Sequence, residues 1–139
     1  MTTTQFALSE GELNLPGAYQ DRSINLLKFK EYDATLAITR AWDIQPGAEE
    51  TFIKQQLAKV QRSMKKVTMG EVEDSTIAGQ PAREVALRFL NQSTMVYEKL
   101  AITRVEDHLL VLTLSRTAPF DADADAFWAS IRTGLQLRA

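Results

Sequence analysis

Four consecutive segments, Val67 to Ile77, Ala82 to Asn91, Thr94 to Val105 and His108 to Arg116, are dense in β-branched and apolar residues and are separated only by short polar breaks. Ala78-Gly79-Gln80, Asn91-Gln92-Ser93 and Glu106-Asp107 have the composition of tight turns. Connections this short join neighbouring strands head to tail, so this half of the chain is expected to be an antiparallel meander. The last segment alternates Leu110, Leu112 and Leu114 with Val111, Thr113 and Ser115, the two-residue period of a strand.

Upstream, Ser23 to Lys30 and Thr35 to Ala41 are two further strands joined through Glu31-Tyr32-Asp33, and Gln5 to Leu8 with Glu12 to Leu15 flank Ser9-Glu10-Gly11 as a short strand or hairpin ending at Pro16-Gly17. Between the two halves lies a helix over Ala48 to Met64, where Ile53, Leu57, Val60 and Met64 recur at helical spacing behind the acidic start Glu49-Glu50. A second helix is expected over Pro119 to Arg138, with Asp121, Asp123 and Asp125 at its front and Phe127, Ile131 and Leu135 on one stripe. The order β-β-β-α-β-β-β-β-α lacks regular βαβ alternation. It predicts an α+β fold with an antiparallel sheet, both helices packed on one face and the other face apolar and concave.

The second face of the sheet deserves its own reading. Ile24 and Leu26 stand on one side of their strand and Leu27 and Phe29 on the other; Leu36 and Ile38 oppose Ala37 and Thr39; Val85, Leu87 and Phe89 oppose Ala82 and Ala86. One face is thus expected to be bulky and the other to mix Ala and Thr with a few larger apolar groups. A low-relief apolar face suits a docked helix or a second copy of the chain. A sheet that curls on itself and hides these groups is the alternative.

Composition narrows the function classes. The 139 residues suit one domain, residues 1–139, with a core that needs no staple. Sixteen Lys and Arg against eighteen Asp and Glu give a net charge of -2, which offers no electrostatic footprint for nucleic acid or a phospholipid surface. The longest apolar run, Leu109 to Leu112, is far below the roughly 18 residues of a membrane span, so no membrane insertion is expected. Met1-Thr2-Thr3-Thr4-Gln5 has neither a basic nor an apolar leader region, and Cys is absent; both fit a cytoplasmic protein.

Motifs of catalysis are thin. Ser63-Met64-Lys65-Lys66 matches S-x-x-K without companion motifs and is better explained as a solvated helix end. Asp121-Ala122-Asp123-Ala124-Asp125 imitates a calcium loop, but Ala126 and Arg132 replace its Gly and Glu, and helix capping accounts for the acids. His108, the only His, falls in a turn beside Asp107, and Asn91-Gln92-Ser93 is a turn before it is a glycosylation acceptor. No enzyme activity, metal or cofactor is expected.

Three stretches are informative together: Glu10-Gly11-Glu12-Leu13-Asn14-Leu15-Pro16, Tyr19-Gln20-Asp21-Arg22-Ser23-Ile24-Asn25-Leu26 and Ala37-Ile38-Thr39-Arg40. The series resembles the DcrB-like family and, within it, the Eag chaperones of bacterial type VI secretion, which carry L-x-(I/L)-P, aromatic-Q-D-x-S-I-N and (A/V)-I-(S/T)-R in the same order. The resemblance implies a homodimeric cytoplasmic chaperone that holds the N-terminal transmembrane helices of a PAAR-containing effector before it is loaded onto the VgrG spike. It implies that Ile24, Leu26 and Ala37 on the strands and Val60 and Met64 on the first helix line an apolar groove, and that Gln56 contacts client helices. Where the family can carry another Gln on a later strand, this sequence has Lys99. A DcrB-like envelope protein of the same fold, expected to carry a signal or a lipoprotein Cys, and a small-ligand-binding α+β domain are the alternatives.

Overall fold

The computed structural model describes residues 4–137; Met1 to Thr3 and Arg138 lie outside them, but the second helix, expected to run from Pro119 to Arg138, spans only Ala122 to Gly134, and Leu135 is already extended. Thr4–Leu8 (β1) and Gly11–Leu15 (β2) form a separate antiparallel hairpin. Asn25–Phe29 (β3) and Ala34–Trp42 (β4) follow, joined by a 3-10 turn at Lys30–Tyr32 that Asp33 closes in the left-handed region, with φ 47°. Then come Glu49–Ser63 (α1), Lys65–Met69 (β5), Glu73–Ile77 (β6), Gln80–Asn91 (β7), Thr94–Val105 (β8), His108–Arg116 (β9) and Ala122–Gly134 (α2). β3 to β9 make one antiparallel sheet in the order β3-β4-β9-β8-β7-β5, with β6 also paired to β7. The α+β class and antiparallel sheet are as expected, and β8 and β9 begin and end where the sequence places them.

The expected strand Val67 to Ile77 is two. Gly70 to Val72 interrupt it, the Gly70 amide donates to the Ala86 carbonyl at 2.8 Å, and both pieces run along the same edge of β7. At the β6–β7 hairpin Ala78 and Gly79 both have positive φ, 55° and 77°, as a two-residue turn matched to strand twist requires.

The placement of both helices on one face is overturned. Trp128 of α2 is buried with Leu36 of β4, Ala101 of β8 and Leu110, Leu112 and Leu114 of β9. Ile53 of α1 is buried with Ile102 of β8 and with Leu109 and Val111 of β9, on the opposite parity. Successive side chains of a strand point to opposite faces, so the sheet lies between the two helices. β9 has apolar residues of both parities because it is covered on both sides. The cross-strand registers add a second correction, because no single face is bulky throughout. Leu36 and Ile38 face α2, whereas Val85, Leu87 and Phe89 face α1 with Leu57, Val60 and Met64. The bulky side changes face across the sheet, and the helices follow it onto opposite corners.

Local contacts fix each helix. Asp121 caps α2 by accepting the Ala124 amide at 2.8 Å, Phe127 packs against Phe29 and Tyr32, and Arg132 donates to the Thr76 carbonyl. The α1 start is tied to β8 by Arg104, which donates to the Ile44 carbonyl at 2.7 Å and pairs with Glu49 at 2.9 Å. That guanidinium bond outweighs burial and holds the Glu49 carboxyl below its ordinary pKa.

Candidate functional site

α1 packs over β7, β8 and the Leu109–Val111 end of β9, with Ala41 of β4 at its margin; on the same face β3, and the stretches of β4 and β9 from Thr35 to Ala37 and from Thr113 to Ser115, take no part in those clusters. The register gives the floor of this part in rows. Leu26 pairs with Ala37 and Ala37 with Thr113; Lys28 pairs with Thr35 and Thr35 with Ser115; Thr39 pairs with Val111. All share the parity of Leu109 and Val111, the α1 side. Between Lys28 at the β3 edge and Val111 next to α1, the floor is built from Thr, Ser and Ala, short side chains that let a second backbone come close. Leu26 and Ile24 rim it with 68% and 67% of their surfaces exposed, the largest exposures among the big hydrophobic residues described.

The stretch that the sequence singles out before β3 explains how these exposed groups are held. Asp21 accepts the amide and hydroxyl of Ser23, its backbone carbonyl accepts the Trp42 indole N–H at 2.9 Å, and Arg40 lies 3.7 Å from its carboxylate. Burial alone would raise the Asp21 pKa; the two Ser23 hydrogen bonds, with Arg40 beyond them, bring it below the ordinary value. Arg40 also donates to Asn25 at 2.9 Å. Asp21, Ser23, Asn25 and Arg40 thus fasten the chain on both sides of Ile24, and they act on the floor's geometry from the opposite parity of β3 and β4.

The remaining site residues divide. Ala37 is half-buried in the middle of the floor. Gln56 is half-buried on α1, one turn beyond Phe52, which packs against the Ile53 cluster with Ala41. Val60 and Met64 pack beneath α1 on Val85, Leu87 and Phe89 while keeping partial exposure. Lys99 stands on the other face, where it donates to Asp125 at 2.7 Å and lies over the Phe120 ring.

The α1-side neighbour of Lys99 on β8 is Glu98, which sequence reasoning missed. It pairs across the strands with Leu87 on one side and Ser115 on the other, and Ser115 Oγ donates to its Oε2 at 2.7 Å. Burial pushes its carboxyl pKa up, and the Ser115 bond only partly offsets this. Thr39 shares the low-relief face with Ala37 as expected, whereas Thr35, Thr113 and Ser115 were not anticipated as floor residues; the parity of Ala37, carried through the β4–β9 pairing, finds them.

The short motifs of the sequence have local structural accounts. Ser63 ends α1 while Lys66 lies on β5, so their spacing does not place them one turn apart on a helix. Among the described residues no group of His, Asp and Glu is arranged to hold a metal. Asp121 caps α2 and Asp125 pairs with Lys99. No helix among the described residues is long and apolar enough to cross a membrane.

An antiparallel sheet between two diagonally placed helices, with a hairpin ahead of it, defines an α+β domain. The DcrB family profile matches residues 10–133, and the chain belongs to that family. Two solved structures share the fold. The crystal structure of PA94, a Pseudomonas aeruginosa protein of unknown function, superimposes with a TM-score of 0.77 at 19% identity, over 100% of this chain and 99% of that one. The solution structure of cyanobacterial PsbP (CyanoP) from Synechocystis sp. PCC 6803 does so with a TM-score of 0.57 at 11% identity, over 94% and 89%. No curated protein matches the sequence.

Proposed function

We propose that this chain is a cytoplasmic, non-enzymatic chaperone of type VI secretion that shields the N-terminal transmembrane helices of a PAAR-containing effector until the effector joins the VgrG spike, and that it acts as a homodimer. The observation that carries the reading is the uncovered sheet corner: two large aliphatic side chains, Ile24 and Leu26, stand two-thirds exposed beside a floor of Ala37, Thr35, Thr39, Thr113 and Ser115. An apolar helix laid there covers the aliphatic rim, and the short floor residues permit the close packing on which helix association outside water depends. The fastening of Ile24 through Asp21, Ser23, Asn25 and Arg40 keeps the rim preorganised, which lowers the ordering cost of binding. The exposed Leu27, on the other side of the same edge strand, favours a second copy along β3. Release needs no nucleotide if the helices pass to another apolar environment.

The test is co-purification of the tagged protein from its native cell, followed by mass spectrometry. Recovery of a secreted effector with apolar N-terminal segments, lost in the Leu26→Asp variant, is the expected result. Recovery that is the same from wild type and a folded Leu26→Asp protein overturns the assignment of this corner.

A further inference from the structure

Glu98 breaks the pattern of the strand that carries it. On the α1 side of β8 its neighbours along the strand are Val96 and Leu100, both packed on the Val85–Leu87–Phe89 cluster. A Leu or Val at position 98 would extend that cluster, whereas a carboxyl there loses hydration and gains one protein hydrogen bond. A local rule broken without a compensating structural gain marks a functional position. The hydrogen bond to Ser115 turns the carboxyl away from Leu87, which lies under α1, and toward the uncovered floor, since Ser115 pairs with Thr35 there. Oε2 is taken by Ser115, while Oε1 has no partner among the described residues and is not sealed from solvent.

We infer that Glu98 is a selection point of the trough: its free oxygen accepts a hydrogen bond from a donor side chain on the helix seated there. The trough then favours apolar segments that carry a hydroxyl or amide group and disfavours those that carry a carboxylate. The inference rests on the helix-binding reading above and adds a chemical class of client to it. As a carboxylate Glu98 can only accept, so the preference for a donor holds in the ionised form. In a site shielded from water the bond is exchanged against few competing partners, and a client carboxylate beside Glu98 would meet a second acid, the row's cation, Lys28, standing three strands away on the edge strand.

The test uses the full-length protein co-expressed with a soluble carrier fused to a 20-residue Leu/Ala segment. Asn or Asp replaces Ala in turn at four successive central positions, which sweeps one helical turn. Competitive pull-down gives the relative retention. Wild type is expected to retain the best-placed Asn segment about fivefold more than the all-apolar one and the Asp segments less. Glu98→Leu should erase the Asn preference while still retaining the apolar segment. If Glu98→Leu does not fold, Glu98→Gln serves: it keeps an acceptor and the Asn preference but should relax the discrimination against Asp. An Asn preference unchanged in Glu98→Leu, or Asp discrimination unchanged in Glu98→Gln, overturns the inference and leaves the trough reading standing. Failure of every segment to bind wild type overturns both.

Discussion

A charge placed at Leu26 separates a binding surface from a core more sharply than a truncation does. Complete burial of a Leu side chain is worth about 1.5–3 kcal/mol. Leu26 is 68% exposed, so only about a third of that, roughly 0.5–1 kcal/mol, is at stake when Asp replaces it. For a chain of this length that is a fall of no more than about 4 °C in Tm, because the new carboxylate stays hydrated. The matched control is Leu114→Asp. Leu114 is fully buried on the same sheet, and an unpaired carboxylate there adds desolvation to lost packing, several kcal/mol in all, enough to unfold a domain of ordinary stability. Thermal unfolding by circular dichroism ranks the two variants, and pull-down of the carrier-fused Leu/Ala segment measures binding. Leu26→Asp should melt close to wild type and retain little or none of the segment, and Ile24→Asp should behave alike. A Leu26→Asp protein that melts as low as Leu114→Asp returns Leu26 to the core. One that melts normally and still binds shows that the segment lies elsewhere.

Glu98→Gln should stabilise the protein at neutral pH. The pKa of Glu98 is raised in the folded state by burial, so the native protein holds its proton more tightly than the unfolded chain does. Its contribution is favourable below the unfolded value, about 4.3, and is lost as pH rises through the folded one. The advantage of Glu98→Gln should therefore vanish in acid, and a constant gap across denaturant titrations at several pH values would contradict it. Asp121→Ala removes the α2 cap and should cost about 1 kcal/mol, read from the urea midpoint at unchanged slope; no change would mean that the Phe127 and Trp128 contacts alone hold the helix end. Light scattering coupled to size exclusion should give twice 15.6 kDa at micromolar protein, and a stable monomer refutes the dimer.

The sequence revealed different parts of this molecule for different physical reasons. β8 and β9 were legible to the residue because turn chemistry closes both ends of each. The break at Gly70 was not, because apolar residues continue on both sides of it, Val67 and Met69 before and Val72 after, with only a change of spacing from two to three to mark it, while the hydrogen bond that holds it, to Ala86, lies on another strand. The opposite placement of the helices was present in Leu109 to Leu112 and Leu114, apolar on both parities, but that signal says only that β9 is buried twice. Which helix covers which side depends on pairing register. The site divides in the same way. Ile24, Leu26 and Ala37 share a face through local alternation and one hairpin. Thr113, Ser115 and Glu98 join them only through β4–β9 and β8–β9 pairing, and Lys99, which the resemblance sets where the family can carry a Gln, points to the other side.

The pairing of Ala37 with Thr113 also sets a clock. Everything from α1 through β8 lies between those two residues in the chain, so on a ribosome β3 and β4 wait as an unattached hairpin until β9 has left the exit tunnel. The meander of β7, β8 and β9 closes through short turns and can fold as it emerges; the trough floor cannot. Under the proposed function, a client helix made at the same time finds no seat on a half-made chain. The trough floor is complete only once β9 has paired with β4, and a truncation that removes β9 yields an exposed aliphatic edge strand with aggregation as its outlet.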